Sequence, residues 1–214
     1  MKAFLRKAIG ILLILTAIGV ALSRAPDRPV ESLVARWAPP PSEFIQVKGQ
    51  VVHVRDEGPR TDPTPIVLIH GTSASLHTWE GWTRVLKTQR RVISFDLPGF
   101  GLTGPFTGPP YAELGYRGDN YARFVVDLMD QLKVPRAVLA GNSLGGEVAW
   151  RTAVFAPERV DRLVLIDSSG PRFEPESIPP GFRIARIPVL NRAAEHLLPR
   201  VAVSGSLASL WQQL

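Results

Sequence analysis

The sequence contains no cysteine, which excludes disulfides and thiolate metal sites and leaves the redox compartment open. Histidine is scarce. The four are His53, His70, His77 and His196, and no two stand at a zinc-ligand spacing such as H-E-x-x-H, so a metal site is not expected. No internal repeat, low-complexity tract or G-x-x-x-x-G-K-[ST] phosphate loop occurs. A basic stripe on the body of the protein is lacking too. The net charge is +6, but in the first 40 residues Lys2, Arg6, Lys7, Arg24, Arg28 and Arg36 against Asp27 and Glu31 leave +4. Only +2 remains for the rest, too little for a nucleic-acid footprint, and no nucleic-acid partner is expected.

What is present is ordinary globular material. With 45% hydrophobic and 21% charged residues, the 214-residue chain can bury one domain-sized core with appendages. The first appendage is residues 1–24. Lys2, Arg6 and Lys7 precede an uncharged, mostly apolar run of 15 residues, Ala8–Leu22. A spanning helix wants roughly 17–25 such residues and a signal-peptide core roughly 7–15. Ala3-Phe4-Leu5 would lengthen the span if Arg6 and Lys7 snorkel. Ala21-Leu22-Ser23 has the small-x-small form of a cleavage site. The expectation is a signal anchor (a transmembrane helix), with a cleaved signal peptide or a buried core helix as alternatives. Either of the first two places the folded part outside the cytoplasm, membrane-anchored or secreted/periplasmic. Residues 25–41, ending Ala38-Pro39-Pro40-Pro41, read as a stiff linker.

Residues 42–170 carry alternating strand and helix signals. Phe44–Val47 and Val51–Arg55 flank Lys48-Gly49-Gln50 as a hairpin. Ile66–Ile69 is continuously apolar, the mark of a strand buried on both faces. Trp79–Lys87 has helical spacing, and Arg91–Asp96 reads as a strand. Gly118–Lys133 is the clearest helix, with Asp119 or Asn120 as the expected cap and Phe124, Leu128 and Leu132 on one face. Arg136–Ala140, Leu144–Ala156 and Leu163–Ile166 read as strand, helix and strand. The alternation predicts an α/β fold with a mostly parallel sheet and flanking helices. Residues 171–214 loosen into a proline-rich stretch with one helix-like segment, Asn191–Leu198.

The chemistry concentrates at Gly141-Asn142-Ser143-Leu144-Gly145-Gly146, a G-x-S-x-G between a predicted strand and a predicted helix. The turn such a serine needs is sharp and strained, and Cβ atoms at Gly141 and Gly145 would collide with neighbouring backbone. It lifts the serine oxygen above the sheet, at a helix N-terminus whose dipole favours negative charge. The bland alternative is a Gly-rich turn with a bystander serine.

With that motif in its strand–turn–helix context, residues 44–170 resemble the α/β-hydrolase family. Pro65–Gly71 (PIVLIHG) looks like its third strand with the HG oxyanion motif. Asp96-Leu97-Pro98-Gly99-Phe100-Gly101 resembles its D-x-P-G-x-G turn, Gly141–Gly146 its nucleophile elbow, and Val160–Gly170 its sixth strand. The resemblance implies the α/β-hydrolase fold, a serine hydrolase, Ser143 as nucleophile, and oxyanion donors at the backbone N–H of Leu144 and of Thr72. It implies no cofactor. The expected substrate is a small-molecule ester or a lipid-like ester, with another acyl or a carbon–carbon bond as a further option, the latter given Asn142 beside the nucleophile.

Set beside that family, the expected catalytic acid and histidine after the sixth strand are not found, and the last strands look to be missing. Residues 171–214 resemble the start of a lid and then an unassigned tail. Asp167 is the weak candidate for the acid, its alternative being a plain loop carboxylate; His196 falls in the presumed lid. A serine without its base is a poor nucleophile, and loss of a triad base costs roughly 10⁶ in kcat. A truncated, inactive hydrolase is therefore expected, the competing reading being a non-catalytic remnant or binding module on the same scaffold. His70 is expected to shape the oxyanion loop, His53 and His77 to be structural, and Trp79 and Trp82 to pack in the core. Gly99–Gly104 matches G-x-G-x-x-G but runs into Pro105, Pro109 and Pro110 instead of a helix, which argues against a dinucleotide site.

Overall fold

The computed structural model describes residues 2–23, 28–170 and 187. Helix α1, Lys2–Ser23, belongs to a different unit from the sheet. It is 22 residues long, yet among the described residues no helix is long and apolar enough to cross a membrane. The expected transmembrane anchor is thus unsupported. The physical reason is the early charges. Lys2, Arg6 and Lys7 occupy the first two turns, and the 15 residues that follow rise about 22 Å at 1.5 Å each, short of a hydrocarbon core of about 30 Å.

Residues 29–170 build the second unit. The stretch expected to be a stiff linker holds a short helix, α2 (Glu31–Trp37). It closes with the Ala38 N–H on the Val34 carbonyl (2.8 Å), just ahead of the prolines that forbid another turn. Strands β1 (Glu43–Val47) and β2 (Gln50–Glu57) form the expected antiparallel hairpin. β3 (Ile66–Ile69), β4 (Val92–Phe95), β5 (Ala137–Asn142) and β6 (Val160–Ile166) follow. The sheet order is β1-β2-β4-β3-β5-β6, antiparallel at β1–β2 and β2–β4 and parallel beyond.

All four residues of β3 and of β4 are buried, because helices cover both faces of the sheet there. Successive side chains alternate. Val67, Ile69, Ile93 and Phe95 meet Phe124 and Leu128 of α5 (Gly118–Gln131) and Val148 and Ala149 of α6 (Leu144–Phe155). Ile66, Leu68 and Val92 face the other way, onto Trp79 and Leu86. That second layer comes from a 3₁₀ turn, Leu76–Trp79, running into α3 (Glu80–Leu86). Of the two tryptophans expected in the core, Trp79 is buried but Trp82 is 44% exposed, meeting Trp79 edge-on.

The expected cap of α5 is also corrected. Arg117 stands at its N-cap and no side chain caps the helix. Asn120 is turned back instead, donating to the carbonyls of Tyr111 (3.0 Å) and Gly115 (2.8 Å), which pins the short helix α4 (Tyr111–Leu114). Asp119 pairs with Arg151 of α6 (2.8 Å). Among the described residues β6 pairs with β5 alone, and Leu163, Val164 and Leu165 are exposed. The expected lid, Asn191–Leu198 and His196 lie outside the described residues.

Candidate active site

Ser143 links the end of β5 to the start of α6 with φ 52° and ψ −114°, a conformation that costs a non-glycine residue about 1–3 kcal/mol. Two glycines let the chain turn so tightly. A Cβ on Gly141 would fall 2.1 Å from the Gly145 carbonyl oxygen, and one on Gly145 2.0 Å from that of Ile69. The first turn of α6 therefore lies directly against the end of β3. The turn is also held from its other side. Ser143 N–H donates to the Ile166 carbonyl (3.0 Å), and Ser169 N–H donates to the Ser143 carbonyl (3.2 Å). Ser169 is in turn fixed by Trp150 Nε1–H on its carbonyl (2.8 Å).

The loop after β3 approaches the same serine. A Cβ on Gly71 would sit 3.2 Å from Ser143 Cβ. His70, fully buried, sets that loop: its Nδ1 lies 2.7 Å from the Gly71 carbonyl and its Nε2 3.0 Å from Leu97 N–H. A carbonyl can only accept and an N–H only donate, so the imidazole is neutral with its proton on Nδ1. Burial holds its pKa below the ordinary value, outweighing the Gly71 carbonyl and the Asp96 charge. Thr72 follows, exposed, at the turn. Leu144, half-buried, is the first residue of α6, where N–H groups have no intrahelical acceptor. Ser143, Thr72 and Leu144 are thus brought to one end of the sheet by the adjacent strands β3 and β5.

No described histidine joins them. Both ring nitrogens of His70 are committed. His77 lies between Glu80 Oε1 (2.8 Å) and the Trp37 carbonyl (2.9 Å). His53 is on β2, separated from β5 by β4 and β3, three strand spacings or about 14 Å. Asp167 follows β6 with φ 44° and is exposed, and its carboxylate accepts no hydrogen bond among the described residues. Among the described residues no histidine meets it.

Asp96 instead anchors the D-x-P-G-x-G turn. It is buried, with Oδ1 accepting from Leu76 N–H (2.7 Å) and Oδ2 from Leu102 N–H (2.8 Å) and His53 Nδ1 (2.8 Å). Burial would raise its pKa, but these hydrogen bonds and the nearby His53 outweigh it and the carboxyl stays below its usual range. Gly101, at φ 54°, is required there, since a Cβ would fall 2.1 Å from Asp96 Oδ2. Between this turn and α2 opens a cleft of about 510 Å³, lined by Leu33, Trp37, Ser73, Ala74, Phe100 and Leu102.

A strained serine at a strand-to-helix turn, on a mostly parallel sheet with helices on both faces, is an α/β-hydrolase arrangement. The family model of the α/β hydrolase fold matches residues 64–193, and the chain belongs to that family. It is 38% identical over 112 residues to the 2-hydroxymuconate semialdehyde hydrolase of Pseudomonas sp. (strain CF600), covering 51% of this chain and 38% of that protein. An uncharacterized protein of Mycobacterium tuberculosis (strain ATCC 25618 / H37Rv) is 32% identical over 187 residues, 84% of this chain and 50% of its own length. Among solved structures, a membrane phospholipase A described as a bacterial virulence factor is 29% identical with a TM-score of 0.55, covering 79% of this chain and 53% of that one. The chain spans half or less of the length of these two curated relatives.

Proposed function

We propose that the chain is a serine hydrolase of ester bonds in which Ser143 attacks the substrate carbonyl and forms an acyl-enzyme. The N–H groups of Leu144 and Thr72 hold the oxyanion, and Asp167 is the acid that the described residues offer. The observation carrying this reading is the strained backbone of Ser143 between two glycines that admit no side chain. The apolar cleft beside Ser73 and Ala74 supports a lipid-like acyl or alcohol group as the occupant. The similarity to a phospholipase over 79% of the chain supports the same class.

We further propose that these 214 residues alone turn over little or no substrate. That reading rests on the absence of a histidine at Ser143 among the described residues. It is tested with p-nitrophenyl butyrate, comparing the full chain with Ser143→Ala. Rapid hydrolysis abolished by Ser143→Ala would overturn the inactivity while upholding the nucleophile. Hydrolysis unaffected by Ser143→Ala would overturn the nucleophile itself.

A second reading, hydrolysis of a carbon–carbon bond, is favoured by Asn142 beside the serine and by the 38% identity to a semialdehyde hydrolase. For location, the basic residues ahead of the apolar part of α1 support delivery to the membrane, with the folded part outside the cytoplasm, held there or released. A reporter fused after Gly170 that is active only after export reads this out; activity confined to the cytoplasm sinks it.

A further inference from the structure

The described residues do contain one continuous Ser–His–Asp hydrogen-bond chain, and it is not at Ser143. His53 Nδ1 lies 2.8 Å from Asp96 Oδ2, and His53 Nε2 lies 2.9 Å from Ser42 Oγ. Donor and acceptor roles are fixed by the ends. The Asp96 carboxylate, which also takes the Leu76 and Leu102 N–H groups, can only accept, so Nδ1 carries the proton. Nε2 is then an acceptor, and the Ser42 hydroxyl points its proton at it. This is the order of contacts by which a nucleophilic serine is deprotonated.

Two more features belong to an activated group rather than to a space-filling hydroxyl. Arg55 Nε–H donates to Ser42 Oγ (2.9 Å), so a guanidinium stabilises negative charge on that oxygen. Arg55 Nη1 is held by Glu80 (2.8 Å), while its Nη2, on a side chain only 10% exposed, has no acceptor among the described residues. Accessibility is graded along the relay. His53 and Asp96 are buried, at 0% and 1% exposure, whereas Ser42 is half-buried at the start of the edge strand β1. Phe44 stacks on the His53 ring at 5.2 Å and fixes its plane.

We propose that Ser42 is a second nucleophilic serine, activated by His53 and Asp96, and that it takes small acyl or phosphonyl electrophiles carrying an anionic or strongly polar oxygen for Arg55. With a phosphonyl fluoride the step balances simply. The Ser42 Oγ–P bond forms, the P–F bond breaks, fluoride leaves, and the hydroxyl proton passes to His53 Nε2. The charged groups facing His53 are Asp96 and, through Ser42, Arg55; the His77 ring lies 6.2 Å away.

The test uses the full chain carrying Ser143→Ala, treated with an alkyl fluorophosphonate and mapped by peptide mass spectrometry. An adduct on Ser42 is expected, forming more slowly on acidification. His53→Gln should slow it about 10²-fold, the low end of what a positioned base supplies. Should His53→Gln fail to fold, the pH profile on the Ser143→Ala chain still decides. No adduct at Ser42, a flat profile, or equal labelling in concentrated urea would overturn the proposal.

Discussion

Gly145 and Ile69 stand so close that one methyl group on Gly145 would come within 2.0 Å of the Ile69 carbonyl oxygen. The contact joins the first turn of α6 to the end of β3, and through it the serine turn to the neighbouring loop. Gly145→Ala must therefore push the helix off the sheet. It should cost about 3 kcal/mol or more, the upper range for overpacking, read from urea unfolding. Gly81→Ala is the matched control. Nothing lies within 4 Å of a Cβ there, and the change in α3 should be neutral or stabilising by up to about 1 kcal/mol.

Ser143 itself carries strain that only glycine escapes. Ser143→Gly should raise the unfolding free energy by about 1 kcal/mol, while Ser143→Ala, which keeps the Cβ at φ 52°, should change it little. Equal stability of all three proteins in thermal unfolding would show that the turn is relaxed.

His70 makes stability depend on pH. Its pKa is lowered in the fold from the ordinary 6.5, so the unfolded chain binds the proton more readily. The contribution is fully present above pH 6.5 and is lost as the pH falls from there through the folded-state pKa. Urea midpoints should decline over that acidic interval. His70→Asn should flatten the decline and, by breaking the bond to Leu97, lower stability by about 1–3 kcal/mol at neutral pH. An unchanged slope in His70→Asn would assign the decline to another group.

Asp96→Asn places an amide where the carboxylate accepts three hydrogen bonds. At least one of the Leu102, Leu76 or His53 donors is left facing a donor. A loss of about 3–5 kcal/mol is expected, as for removing one side of a buried charge contact. A loss below about 1 kcal/mol would mean that the turn reforms around the amide.

The His77→Phe substitution keeps a ring against Trp37, 6.0 Å away and edge-on, but removes the bond to the Trp37 carbonyl. Amide exchange across Glu31–Trp37 should accelerate relative to α5. Unchanged exchange would show that Leu33 and the following chain hold α2 without it.

The parts of this architecture that rest on short-range pattern were legible in the sequence. The all-apolar run of β3, the hairpin around Lys48-Gly49 and the glycines around Ser143 each state their geometry within a few residues. The misreadings arose where distant partners decide. Asn120 looks like a cap until Tyr111 and Gly115 are seen to claim its amide. Trp82 sits at the same helical spacing as a core residue yet ends on the outer side. The Ser42–His53–Asp96 relay leaves no local signal, because its members lie 11 and 43 residues apart and meet only when β2 pairs with β4. The Asp96 turn could be recognised as a motif, but not what its carboxylate holds.

The bonds from Ser143 to Ile166 and from Ser169 back to Ser143 tie the expected nucleophile to chain that is made after it. On the ribosome, β5 and the first turn of α6 emerge while these partners are still unsynthesised. Until Ile166 and then Ser169 clear the exit tunnel, neither bond on that flank holds the serine at its positive φ. The strained turn that carries Ser143 is thus completed late, only once the chain on its far flank has been made.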